Sequence, residues 1–243
     1  MRTSNPALGD NTFTAAGHVA RTDEAMTIQG TANKAILLLL CVLVTASWIW
    51  SMNPKVVAPW VAVGAIGGFV VALVTIFKQT WSPVTAPLYA LLEGLVIGGV
   101  STLLEAQFPG IVIQAAGLTL GTCLALLLAY KSRLIRATEN FKMGVVAATG
   151  GIALFYLITL VLGFFGIRMP LMYGSSWASI GFSLLVVVIA ALNLVLDFDF
   201  IEQGAAQGAP KYMEWYGAFG LMVTLVWLYL EMLRLLAKLR SRD

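Results

Sequence analysis

The sequence predicts an all-α integral membrane protein built as a bundle of seven transmembrane helices, and three observations predict it. Of 243 residues, 59% are hydrophobic and 11% charged, whereas soluble domains are about 45–50% apolar and about 25% charged; mean hydropathy is +0.87. The apolar residues gather into seven runs, most long enough to cross a ~30 Å hydrocarbon core at about 1.5 Å per residue. The links between runs are short and marked by Pro, Gly and charge. The same composition excludes disordered and nucleic-acid-binding classes. A net charge of +3 implies no strongly acidic partner.

In order along the chain, 1–34 is a polar arm in which Arg2, Arg21 and Lys34 face Asp10, Asp23 and Glu24, and it holds the single histidine, His18. It lacks the basic start, short apolar core and cleavage site of a signal peptide, and is expected to be cytosolic and partly disordered. The membrane domain is expected over 35–238, with runs at about 35–52, 56–77, 83–104, 108–130, 143–167, 171–197 and 215–237; 239–243 is a short basic tail. Lipid offers the backbone no hydrogen-bond partner, so each run is a helix. Asn53-Pro54-Lys55 ends the first run and Lys78-Gln79-Thr80 the second. Pro83 opens the third, and Pro109-Gly110 separates the third from the fourth. A basic loop spans 131–142, and Arg168-Met169-Pro170 follows the fifth run. Trp48, Trp50, Trp60, Trp81, Trp177, Trp215 and Trp227 fall mostly near run ends, where aromatic side chains suit the membrane interface. The pairs Gly64/Gly68, Gly94/Gly98 and Gly117/Gly121 each clear one helix face for close packing. Cys41 and Cys123 sit far apart inside apolar runs and read as small core side chains.

Lysine and arginine distribution sets the orientation. With the N-terminus inside and seven crossings, the inside carries Arg2, Arg21, Lys34, Lys78, Lys131, Arg133, Arg136, Lys142 and Lys211. The outside carries Lys55, Arg168, Arg234, Lys238, Arg240 and Arg242. Only the C-terminal tail conflicts with this assignment; a re-entrant last segment, or six crossings, would move it inside.

The informative residues are charges inside apolar runs. An ionised side chain at a helix centre costs about 2.5–3.5 kcal/mol on insertion scales, so residues that bear that cost are functional candidates. Glu93 lies near the middle of the third run. Asn193 and Asp197 are one turn apart near the end of the sixth, followed by Asp199 and Glu202. Glu231 lies deep in the seventh, with Arg234 three residues on. Each has a structural alternative. Glu231 and Arg234 can neutralise one another, Asp199 and Glu202 can be interfacial loop charge, Asp197 can anchor its helix end, and Glu93 can be protonated between helices. Taken together, carboxylates that face one another in a low dielectric cannot both ionise cheaply. Such a pair is a proton-sensitive latch, and its oxygens can also ligate a hard cation such as calcium.

The chain resembles the Bax inhibitor, or transmembrane Bax inhibitor motif, family in its bacterial branch. The residues that carry the resemblance are Asn5-Pro6-Ala7-Leu8, Ala86-Pro87-Leu88-Tyr89-Ala90-Leu91-Leu92-Glu93-Gly94, and Phe108-Pro109-Gly110-Ile111 with Tyr130 and Lys131. They continue in Leu196-Asp197-Phe198-Asp199-Phe200-Ile201-Glu202 and in the stretch from Ala209-Pro210-Lys211-Tyr212 through Leu228-Tyr229-Leu230-Glu231. The resemblance implies a seven-helix bundle around a central seventh helix and a pH-responsive calcium leak. It also implies an acidic pair on helices six and seven as the pH-sensing and gating element. By motif match Asp197 takes the first position and Glu231 the second, where the family commonly has Asp. The same two acids are the candidate metal ligands. Their separation by 34 positions, with a glycine-containing link over 204–210 between them, lets them meet only if helix seven starts below the membrane surface or its first turns lie flat. Otherwise Glu231 pairs with Arg234, and Asp197 with Asp199 or Glu93.

Three function classes compete. The first is a proton-gated cation leak, for calcium foremost. The second is a non-transporting membrane regulator of a membrane protease or stress response, acting through 1–34 and 131–142. The third, an intramembrane aspartyl protease, lacks an Asp in the seventh run and the Gly-x-Gly-Asp motif; a paired mechanism needs two carboxylates about 3 Å apart. HExxH, Walker and Gly-x-Ser-Gly patterns are absent as well, so no enzyme and no cofactor are expected. The bilayer is the expected partner, and the cell inner membrane the expected location if the source is bacterial.

Overall fold

The computed structural model describes residues 25–167, 169–174 and 176–242. Seven long helices cross in alternating directions: α1 (Ile28–Trp50), α2 (Ala58–Phe77), α3 (Ser82–Gln107), α4 (Ile111–Lys131), α5 (Glu139–Phe164), α6 (Trp177–Ala206) and α7 (Met213–Arg240). All seven are long and apolar enough to span a bilayer. The expected seven-helix all-α membrane fold is therefore the observed one. Of the N-terminal arm only its last ten residues, 25–34, are described, so His18, Arg2 and Arg21 lie outside the described residues, as does Arg168.

Helix ends follow local chemistry rather than hydropathy. α1 starts at Ile28, ahead of its apolar run, because the Thr27 side chain caps it by accepting the Gly30 amide. Thr138 caps α5 through the Phe141 amide and Ser176 caps α6 through the Ser179 amide. The basic loop is consequently shorter than the sequence suggests. Lys131 closes α4 and Lys142 lies in the first turn of α5. Between α3 and α4, Gly110 takes a left-handed φ of 81°, and the Glu105 carboxylate accepts the Gly110 and Val112 amides at 2.5 and 3.1 Å. That carboxylate is a cap for α4, satisfying two amides that begin a helix without partners.

Helices α6 and α7 form the centre: 61% of the apolar stretch of each is buried, against 17% in α2, α4 and α5. α7 packs against α1, α3, α4 and α6, whereas α2 packs on α3 and α5 on α6, which places α2 and α5 at opposite edges. The N-terminal end of α1 meets the α6–α7 link through the Met26 amide and Ala209 carbonyl, 2.6 Å apart. At the other end, Arg240 reaches the Pro109 carbonyl at 2.7 Å. The two ends of the described chain thus lie at opposite ends of the bundle. Trp48 and Trp60 stack edge-on at 5.0 Å beside exposed Trp50, an interfacial cluster at the C-terminal end. Trp227, by contrast, packs against a buried cluster inside the bundle.

The three glycine pairs differ. A Cβ on Gly94 would lie 1.8 Å from Thr45 Oγ1 and 2.5 Å from the Val42 carbonyl. One on Gly98 would lie 2.7 Å from the Ala46 carbonyl, and one on Gly64 would lie 2.6 Å from the Leu92 carbonyl. These pairs bring α1, α2 and α3 into backbone contact. Gly117 and Gly121 face open space, where an added Cβ would meet nothing within 4 Å. Gly94→Ala is therefore expected to destabilise the protein by roughly 1–3 kcal/mol through overpacking, seen as a lower melting temperature in detergent, while Gly121→Ala leaves it unchanged or slightly raised.

Candidate functional site

The register of the α6–α7 hairpin fixes where each buried charge lies. Near the link, a Cβ on Gly217 would meet Ile201 at 3.3 Å. At the far end, Lys238 Nζ reaches Ser183 Oγ at 2.8 Å and the Ser179 carbonyl at 3.3 Å. Pairing between those points sets Asp197 at about the level of Met222. Glu231 is then about nine residues away along the axis, roughly 14 Å at 1.5 Å per residue. The two acids singled out from the sequence occupy two levels of one hairpin.

Glu231 is 2% exposed. Its Oε1 accepts hydrogen bonds from Tyr156 Oη on α5 and from Arg234 Nη1, each at 2.7 Å. Arg234 Nη1 also lies 2.7 Å from Tyr156 Oη, and its guanidinium carbon sits 5.2 Å from the centroid of the tyrosine ring. The three groups form a closed triad at the membrane level where the sequence placed an expensive carboxylate. One oxygen of the buried carboxylate, Oε1, is thus met by a cation and a hydroxyl, the kind of partners that lessen the cost of burying it.

Asp197 is 1% exposed and lies near Cys123 on α4. One turn away, Asn193 donates through Nδ2 to Thr149 Oγ1 on α5 at 2.9 Å and to its own helix at the Ile189 carbonyl. Asp199 is ion-paired with Lys142 at 2.8 Å and accepts from Gln203 Nε2. Tyr130 Oη bonds Glu202 and lies 3.4 Å from Asp199. Asp199 and Glu202 therefore join α4, α5 and α6 at the N-terminal end, rather than standing as free loop charge. Glu93 is elsewhere. It is half-buried on α3, with Tyr89 one turn earlier beside it and Gly68 of α2 against its carboxylate.

Several buried groups escape a reading of the sequence. Glu214 has no exposed surface. Its carboxylate accepts the Thr27 amide and hydroxyl at 2.9 Å each, bonds Lys34 and lies 3.4 Å from Lys211. Lys142 and Lys238 are 4% and 7% exposed, although both sit near helix ends where hydropathy reads a lysine as solvated. Tyr130 and Tyr156 look like apolar-run residues. Only their placement one helix away from an acid gives them a polar role, and no local pattern announces it. A cavity of about 470 Å3 opens between α1, α3, α4 and α7, lined by residues such as Val42, Ala46, Gly98, Ala116 and Leu225. Its walls suit hydrocarbon, not an ion.

Among the described residues no three His, Cys, Asp or Glu side chains are grouped to hold a metal. Asp197 and Glu231, at two levels, do not share one ion in this arrangement. The sequence profile of the family described as Bax inhibitor 1 like matches residues 5–241. The chain belongs to the Bax inhibitor 1-like family. No curated protein and no solved structure matches it. Family membership and seven spanning helices make it a multi-pass membrane protein resident in a lipid bilayer.

Removing Arg234 while keeping Glu231 leaves a buried carboxylate with Tyr156 alone. Arg234→Met is expected to cost about 3–5 kcal/mol, and the double variant Glu231→Gln/Arg234→Met to recover much of that loss. Denaturant unfolding of the single and double variants in detergent, arranged as a double-mutant cycle, measures the coupling.

Proposed function

We propose that this Bax inhibitor 1-like protein is a pH-sensitive cation leak, calcium foremost, gated by the buried carboxylates of the α6–α7 hairpin. The observation that carries the reading is that Asp197 and Glu231, 1% and 2% exposed, lie in the two most buried helices of the bundle. Ionisable groups at such positions are expensive and mark ion or proton pathways. In this reading they are two gates in series, at two levels of the hairpin, rather than one face-to-face latch. At the Glu231 level, breaking the contacts to Tyr156 and Arg234 loosens α5 from α7. At the Asp197 level, ionisation inside the bundle favours entry of water or a cation between α4 and α6. The reading involves no enzyme chemistry and no bound cofactor; calcium is the permeant ion.

A second reading, a non-transporting regulator of a membrane protease or stress response, is favoured by one feature. The α4–α5 connection presents exposed Lys131, Arg133 and Leu134 together, Leu134 being 82% exposed. A basic and apolar surface of this kind suits a partner protein. In a bacterial cell either function would belong to the inner membrane.

Calcium entry into dye-loaded proteoliposomes, compared at mildly acidic and mildly alkaline pH, tests the first reading. Wild type is expected to show a pH-dependent flux, and Asp197→Asn and Glu231→Gln to lose much of that pH response. Glu93→Gln, away from the hairpin, is expected to retain it. A folded wild-type protein whose flux equals that of empty liposomes sinks the leak and leaves the regulator reading.

A further inference from the structure

A line of polar groups follows the wall where α5 meets α6 and α7. From the N-terminal end it runs through Lys142 and Asp199, then Asn193 with Thr149, then Tyr156, Glu231 and Arg234, and ends at Lys238 with Ser183. Of the seven long helices, α5 packs on α6 and reaches α7 chiefly through the long side chain of Tyr156. The seam is therefore lined with polar groups and loosely closed on one side.

Its last member is unusual. Lys238 is 7% exposed, and among the described residues its ammonium makes no ion pair with a carboxylate. Instead Nζ donates to Ser183 Oγ at 2.8 Å and to the carbonyls of Leu171 and Ser179 at 3.3 Å each. The three oxygens come from the helical turn Pro170–Tyr173 and the start of α6. Ser179 Oγ fastens that turn, lying 2.7 Å from the carbonyls of both Leu171 and Gly174. Backbone carbonyl and hydroxyl oxygens held in a fixed group are the donors that replace the hydration shell of a hard cation. About two turns away on α7, Glu231 Oε2 is buried and has no hydrogen-bond partner among the described residues, so a carboxylate oxygen with free acceptor capacity stands next along the seam.

We propose that the oxygens of Leu171, Ser179 and Ser183 form a cation site that the Lys238 ammonium fills as a tethered plug, closing the C-terminal end of the α5–α6–α7 seam. The proposal rests on the leak reading and adds to it where the exit lies and what closes it. A positive charge fixed at the exit repels a permeating cation and occupies its ligands, so the path opens when the lysine withdraws. A purely structural tie between α7 and the turn at Leu171 predicts a different outcome, because any side chain that keeps the packing and the fold would then leave transport unchanged.

The test uses the full chain as wild type, Lys238→Met, Lys238→Arg and Ser183→Ala. Each is checked for monodispersity and then assayed for calcium flux in proteoliposomes and for thermal stability in detergent with and without added sodium or calcium chloride. Lys238→Met, which retains the side-chain length, is expected to raise the flux several-fold and to be stabilised by added cation where wild type is not. Lys238→Arg is expected to stay near wild type. Ser183→Ala keeps the lysine but removes its shortest hydrogen bond, and is expected to raise the flux by a smaller factor; it carries the test if the methionine variant does not fold. Unchanged or reduced flux in the folded Lys238→Met and Ser183→Ala proteins, with a leaking wild type, overturns the plug and leaves the leak standing. Cation-dependent stabilisation confined to Lys238→Met, without flux in any protein, keeps the site and removes the leak. Absence of both overturns the proposal.

Discussion

Hydrocarbon supplies no hydrogen bonds, so the polar side chains that α7 carries into the bundle depend on protein groups to meet them, most of which lie on other helices. That requirement organises the molecule. Glu214 at the start of α7 is met by Thr27 and Lys34 of α1. Tyr229 pairs its hydroxyl with Ser101 of α3 at 2.7 Å. Glu231 is met by Tyr156 of α5, Lys238 by Ser183 of α6, and Arg240 by Pro109 and Gln114 at the start of α4. One central helix thus sends a polar side chain to each of five neighbours, and each contact fixes both depth and rotation. Apolar packing against lipid-like surfaces would leave those two coordinates soft.

The two halves of the bundle are held by different forces. α1, α2 and α3 meet through glycine-cleared faces, where Gly64, Gly94 and Gly98 admit the backbone of a neighbour. Contact of this kind is rigid, since a shift of even a methyl group's width produces a clash. On the opposite edge α5 packs chiefly on α6 and is tied by polar side chains at discrete levels: Lys142 to Asp199, Thr149 to Asn193, Tyr156 to Glu231. Such ties are single contacts at separate levels, not a continuous packed face. The geometry therefore divides the protein into a side held by close glycine packing and a side held by discrete polar contacts.

Much of this was legible in the sequence. The seven runs and the polar link residues correspond to the seven helices, and seven crossings to ends of the described chain at opposite ends of the bundle. Asp197 and Glu231 announced themselves because a carboxylate in an apolar run is conspicuous to any hydropathy reading. Lys142, Glu214 and Lys238 did not, because a charge near a helix end is normally solvated. They are buried only because another segment covers them: the chain before α1 over Glu214, the turn at Leu171 over Lys238. Tyrosine hides in the same way, since Tyr130 and Tyr156 are apolar by composition and polar by neighbour.

Hydropathy and length alone determined that this chain forms seven spanning helices, because each run must satisfy its own backbone wherever it sits in lipid. Motifs along the chain determined its family. Tertiary structure alone decided that Asp197 and Glu231 stand at two levels, that Glu231 is held by Arg234 and Tyr156, and that Lys238 is caged by neutral oxygens. The reason is physical. Backbone hydrogen bonding within a helix is local and readable from its own residues. The depth and rotation at which two helices meet depend on contacts between residues far apart in the chain, 44 positions for Asn193 with Thr149 and 187 for Thr27 with Glu214, and no short stretch of sequence contains them.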